Sequence, residues 1–237
     1  MKKAQLSLLI ILGVVVLIAF ILVFMLVSGS KAQKLPFESD SAKGFVESCI
    51  TQTAEDGITL LGKQGGRIIL KDYVLAPKFG ISYAVKANAK TLPSIPKMED
   101  ELSLYIKNNL NFCLEDFDSL KKQGWTVEKG EFSISASINA QDVGIRVSYP
   151  LVFSLKDQRI SLDAFSVSLP IRLKHIRDSA DAIAQFYLSN NSADLRYHNS
   201  AGLNTTIFPY KGALIYRFTD ESSLIGNKPY EFFFAVN

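Results

Sequence analysis

The stretch "WTVEKGEFSISASINAQDVGIRVSYPLVFSLKDQRISLDAFSVSLPI", Trp125 to Ile171, decides the fold class, because its residues alternate in character with a period of two. Such alternation is the mark of strands with one face covered and one face wet. "WTVEKGEFSISASINA" reads as strand, turn and strand, with "EKGE" as the turn. "DVGIRVSYPLVFSL" and "ISLDAFSVSLPI" read as a hairpin of long strands joined at "KDQR".

Helices flank this run. "SAKGFVESCITQTAEDGITLLGKQ" places Val46, Cys49, Ile50, Thr53, Gly57, Leu60 and Leu61 at three- and four-residue steps, with Asp40 or Ser41 to cap it and Gly65-Gly66 to end it. "RIIL" then reads as a short strand. "FGISYAV" alternates Phe79, Ile81, Tyr83 and Val85, as a half-buried strand does. "LPSIPKMEDELSLYIKNNLNFCLEDFDSLKKQG" predicts one long helix, with Pro96 early, acidic residues in its first turns, and Met98, Leu102, Tyr105, Ile106, Cys113, Phe117 and Leu120 as its buried stripe. A third helix covers about Leu173 to Leu188, with Ile176, Ala180, Ile183, Ala184 and Tyr187 on one side. The tail returns to strands at "TTIFPY", "GALIYRFT" and "YEFFFAV", where Tyr230, Phe232 and Phe234 face inward and Phe233 outward. If that aromatic strand lies at an edge, it offers a place for strand exchange in an assembly. The order implies an α+β domain, helices packed on an antiparallel sheet, and not a doubly wound parallel fold.

Ahead of this domain, Leu6 to Val27 run 22 residues without a charge. A helix of that length spans roughly 33 Å, against a hydrocarbon core of about 30 Å. A cleaved signal has a shorter apolar region of about 7–15 residues, so the segment reads as an anchor that stays in the membrane. The predicted organisation is a basic cytoplasmic tail at 1–5, a transmembrane signal-anchor at 6–27, a tether at 28–41, and an extracytoplasmic domain at 42–237. Lys2, Lys3 and the amino terminus favour the short side staying inside, and long downstream domains cross largely regardless of charge. The lipid bilayer is thus the first predicted partner.

The segment "KKAQLS" resembles the processing site of archaeal type IV pilin-like proteins, which carry class III signal peptides. In that family the cut would fall between Ala4 and Gln5, leaving the apolar helix on the mature chain, and Ser7 matches the small hydroxyl residue two positions on. The glutamate usual at the fifth mature position falls on Leu9 here. With the Cys49 helix, "LGKQGGRIIL", the Cys113 helix and the aromatic last strand, the chain is also similar to single-pass archaeal membrane proteins. That resemblance implies architecture and no chemistry.

Composition narrows the functional classes. Without Lys2 and Lys3 the chain has 24 basic and 23 acidic residues, a balance that gives no reason to expect nucleic acid as a partner. Two histidines, without His-x-x-x-His or Cys-x-x-Cys spacing, give weak support to a metal site, and no motif implies a cofactor or a catalytic residue. Two cysteines outside the cell invite one disulfide, Cys49–Cys113, and closing that loop is worth roughly 4 kcal/mol; two buried thiols are the alternative. "GKQGGR" lacks the ending of a phosphate-binding loop and reads as a helix cap. The charges around His175 (Arg172, Lys174, Arg177, Asp178 and Asp181) read as a solvated helix face ahead of an anion-contacting patch, and His198 falls in a polar loop. Asn190 and Asn204 head N-glycosylation sequons. The expected function is an anchored binding or assembly domain engaging a protein partner or another copy of itself. A pilin-like filament subunit cleaved before Gln5 and, more weakly, a surface hydrolase are the alternatives.

Overall fold

The computed structural model describes residues 39–192 and 202–237. Helix α1 (Ser39–Lys63) buries Ala42, Val46, Cys49, Ile50, Ala54, Ile58 and Leu61, which wrap around more than one face. A helix with so wide an apolar surface needs cover from several sides. It finds this against α2 (Ile95–Leu114), against β7 (Gln158–Leu169), and against β10 (Lys228–Val236). The expected end of the tether, Ser39 to Ser41, is already its first turn. Gly65 (φ 71°) and Gly66 (φ 81°) end the helix in left-handed backbone, and the Gly66 amide donates to the Leu61 carbonyl at 2.7 Å.

The first sheet runs β1 (Tyr73–Leu75), β2 (Gly80–Lys86), β10, β9 (Ala213–Ile225), β8 (Asn204–Tyr210), and the two-residue β3 (Ala89–Lys90) pairs with β2. Its pairings are antiparallel except one: β10 lies parallel to β2, with Ala235 opposite Tyr83. The last strand is therefore interior, and the edge position considered from sequence is not where it lies. Its alternation is as expected. Tyr230, Phe232 and Phe234 are buried toward the helices, and the Tyr230 hydroxyl donates to the Ile58 carbonyl at 2.9 Å. Burial pushes that phenol far above its usual range, so it remains a donor.

The second sheet has β6 (Val143–Leu155) at its centre and β7 along one edge. The expected "EKGE" hairpin does not form. β4 (Thr126–Lys129) and β5 (Ser133–Ile138) lie in tandem along the other edge of β6, as one interrupted strand. Pro150 explains the interruption, since it has no amide to donate. There the Gly130 amide donates to the Pro150 carbonyl at 2.8 Å, and Tyr149 and Pro150 form a bulge opposite Asp163. Two residues connect β6 to β7, close to the expected turn.

Two other expectations are corrected. "RIIL" forms no strand, because its amides find another acceptor. Those of Ile68 and Ile69 donate to the Glu101 carboxylate at 2.7 and 3.1 Å. The long second helix also stops early. Glu115, Asp116 and Phe117 all have positive φ before a one-turn helix α3 (Asp118–Lys121). The break swings Phe117 inward, between Phe45 of α1 and Phe153 of β6, with ring centroids 6.2 and 5.6 Å away. Left-handed backbone at ordinary residues costs of order 1 kcal/mol each, and burying an aromatic ring offsets it.

Helix α4 (Leu173–Asn190) packs over β2, β3 and β10, with Ile176, Ala180, Ile183 and Ala184 buried as the periodicity predicts. The result is the expected α+β class, with helices on antiparallel sheets, but it uses two sheets and one parallel junction. Among the described residues no helix is long and apolar enough to cross a membrane. The predicted span 6–27, the Ala4/Gln5 cut and His198 lie outside the described residues.

Candidate functional site

The face of the first sheet turned away from the helices is apolar where a free sheet face is usually polar. Strand β2 shows this directly: Ile81 and Val85 on one face and Ser82 and Ala84 on the other are all buried, so the strand is not half-exposed as its alternation predicts. On the outer face Val74, Ile81, Ala213, Ile215 and Ala235 form a small second core, joined by Phe79, Tyr83, Tyr210 and Phe233. No helix covers it. The tight turn at 76–79, closed by the Ala76 amide donating to the Phe79 carbonyl at 3.0 Å, folds over one side. Phe79 then meets Phe233 edge to face at 5.3 Å.

Between this turn and the edge strand β8 lies a cleft of about 380 Å³, lined by Phe79, Ile81, Phe208, Tyr210, Ile215 and Phe233. Its size falls within the range of small-molecule and side-chain pockets. Phe208 stands at its mouth, 37% exposed. Lys78 lines the rim. Lys211 follows Tyr210, its Nζ 3.2 Å from the Leu75 carbonyl and 5.3 Å from the Tyr210 ring centroid. Beyond the cleft the same face becomes polar, where Arg217 bonds Thr206 at 3.2 Å and approaches Glu231 at 3.8 Å. The cleft wall is apolar throughout: Lys78 and Tyr210 contribute carbon surface and not their polar ends, and the lining holds no carboxylate, imidazole or thiol.

The predicted site residues distribute as follows. Cys49 and Cys113 are bonded, with Cα atoms 5.5 Å apart, and join α1 to α2. Asn190 ends α4, exposed, with its amide donating to the Phe186 carbonyl at 2.9 Å. Asn204 opens β8, exposed, and donates to Glu221 at 3.0 Å. Both are surface positions. "GKQGGR" caps α1, and the anion held by the backbone that follows is the chain's own Glu101.

The charges near His175 are more structural than a solvated face. Arg172 forks onto the fully buried Asp220, with Nε at 3.1 Å and Nη2 at 2.6 Å. Burial pushes the Asp220 carboxyl up, but Arg172, the Ser223 hydroxyl and the Ser222 amide outweigh it and hold it below the usual carboxylate range. Among the described residues no group of three or more His, Cys, Asp or Glu is placed to hold a metal ion.

The cleft itself was missed by sequence reasoning. Its signal was present as outward-facing aromatics, Phe79, Phe208 and Phe233, on three separate segments, but nothing local shows that they converge. No protein-family model, curated protein or solved structure matches this chain.

Proposed function

We propose that this chain is a single-pass surface protein held in the bilayer by residues 6–27, whose extracytoplasmic domain docks an apolar side chain of a partner protein in the cleft between the 76–79 turn and β8. The observation that carries the docking is the cleft: an uncovered apolar hollow on a sheet face, with an aromatic at its mouth and lysine at its rim. The lysines select among apolar partners. Lys78 and Lys211 favour a segment whose apolar anchor is flanked by acidic residues, since charge complementarity guides encounter and register. The outward placement draws support from the disulfide, which belongs to oxidising compartments. The "KKAQLS" motif sustains a second reading, a pilin-like subunit; intact-mass measurement showing loss of residues 1–4 would select it.

The docking is tested with 8-anilinonaphthalene-1-sulfonate, an apolar anion matching cleft and rim, titrated onto the full chain in an uncharged maltoside detergent. One saturable site is expected beyond the detergent background. Phe208→Asp and Lys78→Glu should each weaken it about tenfold or more, because they remove apolar cover or reverse the rim charge. Binding unchanged in both variants would overturn the assignment of this cleft.

A further inference from the structure

A second cavity, of about 510 Å³, opens where the loop after α1 meets the start of α2. Arg67, Lys71, Asp72, Lys90 and Lys97 are the charged residues that line it. Four cations thus reach it from three separate segments, and one carboxylate. That carboxylate, Asp72, is engaged by Lys86 at 2.6 Å. Two more acids stand behind the wall, each shared between cations. Glu101 lies 3.7 Å from both Arg67 and Lys97 and also accepts two backbone amides. Asp181 takes Lys90 at 2.7 Å and Arg177 at 3.0 Å. Six cations (Arg67, Lys71, Lys86, Lys90, Lys97 and Arg177) therefore surround three carboxylates, and the neighbouring pair Lys174–Asp178 adds one of each sign.

This excess is local. Of the chain's 26 basic and 23 acidic residues, Lys2, Lys3, Lys31, Lys34 and Glu38 precede the domain, which leaves 22 of each sign in it. A neutral domain with about three surplus positive charges around one concave opening concentrates field lines there. The opening exceeds a bare phosphate in size, and Tyr83, Leu92 and Pro93 supply a wall for an organic group.

The geometry points to a binding site for a phosphate-bearing small organic molecule in this cavity, with Lys71 and Lys97 as the exposed contacts and Arg67 and Lys90 as the fixed ones. A phosphate monoester carries close to two negative charges at neutral pH, which suits the surplus better than a single carboxylate. The site stands apart from the apolar cleft, and its test is independent of that reading.

The test is calorimetric titration of the full chain, in an uncharged maltoside detergent at about 150 mM salt, where weak surface attraction is screened. The probes are inorganic phosphate, phenyl phosphate, and glycerophosphoglycerol, the free headgroup of an anionic lipid. Phenyl phosphate should bind saturably and more tightly than inorganic phosphate. Lys71→Gln with Lys97→Gln should weaken it by about tenfold or more per lysine, the worth of a charged hydrogen bond. Lys71→Arg with Lys97→Arg should restore it, and Lys107→Gln on the same helix should leave it unchanged. A headgroup diester binding as tightly as the monoester supports the phosphate chemistry and names a lipid surface as its source; a diester that binds more weakly supports a soluble monoester. Absence of saturable binding by all three probes, or equal binding in the double glutamine variant, overturns the site.

Discussion

Reducing the Cys49–Cys113 bond should cost the domain about 4 kcal/mol of folding stability. The two residues are separated by 64 positions, and the loop-closure relation gives an unfolded-state entropy loss of roughly 14 cal/mol/K, or about 4 kcal/mol at 25 °C. The structure adds a reason for the native state to bear the link without rearrangement: α1 and α2 already pack side by side, with Gly57 of α1 opening space for Leu102 and Tyr105 of α2. The reduced form should therefore keep its contacts and lose only the constraint on the unfolded chain. The assay is urea unfolding of the full chain, oxidised and reduced, followed by Trp125 fluorescence; Trp125 is buried and reports the second sheet. Cys49→Ala with Cys113→Ala should match the reduced protein to within about 1 kcal/mol, since the groups removed are small. In intact cells neither cysteine should label with a membrane-impermeant thiol reagent before reduction, and after it the label should fall on the half-buried Cys113, since Cys49 stays buried. A stability change under about 1 kcal/mol, or thiols that label without reduction, would refute the link and with it the support for an extracytoplasmic domain.

Two further predictions rest on close packing and buried charge. A Cβ at Gly62 would sit 2.2 Å from the Glu231 carbonyl and 2.8 Å from the Tyr230 hydroxyl, so Gly62→Ala should destabilise by about 2 kcal/mol despite the helix preference of alanine, while Gly44→Ala, with open space around it, should stabilise by up to about 1 kcal/mol. Denaturant midpoints for the two variants moving the same way would contradict this placement of α1 on β10. Asp220→Asn should cost about 2–3 kcal/mol, toward the low end for a broken buried pair because Arg172 keeps 23% exposure. Because the Asp220 carboxyl is held below its unfolded value of about 3.9, its contribution is complete above that pH and fades as acid carries the protein down through the folded value. Asp116, held at about 2 by Lys121 and Lys129, titrates in the same acid range from an exposed position. Thermal melts below about pH 4 should fall steeply in the wild type and less steeply in Asp220→Asn; parallel profiles would remove Asp220 from the account.

The elements that were legible in the sequence are those whose signal is local. The stripe of α1, the β6–β7 hairpin, the inward face of Tyr230, Phe232 and Phe234, and the glycine cap at 65–66 all follow from spacing within a single segment. The misreadings share a different cause. "RIIL" has strand-forming residues, but its amides go to Glu101, 32 and 33 residues away. "EKGE" looks like a turn until Pro150, on another strand, sets the interruption it lies in. The break at Glu115 has no glycine or proline to announce it; Phe117 is drawn in by Phe45 and Phe153, which belong to other elements. The apolar cleft and the basic cavity were hidden for the same reason, since each is assembled from segments that only the fold brings together.

The parallel junction decides when the apolar cleft can exist. Until β10 arrives, β2 has only the short strands β1 and β3 as partners, and α1 lacks its main contact with the first sheet. Strand β10 supplies both at once, with its inward aromatics against α1 and its backbone between β2 and β9. Its outward residues, Phe233 and Ala235, complete the second core against Ile81 and Ile215. The apolar cleft is therefore a property of the finished domain. Phe79 and Ile81 come from the first half of the chain, and Phe208, Ile215 and Phe233 from its end, so no partial fold displays the full hollow. A domain that completes this apolar face only when β10 is in place avoids presenting it during folding, when exposed apolar surface and unpaired strand edges are most hazardous.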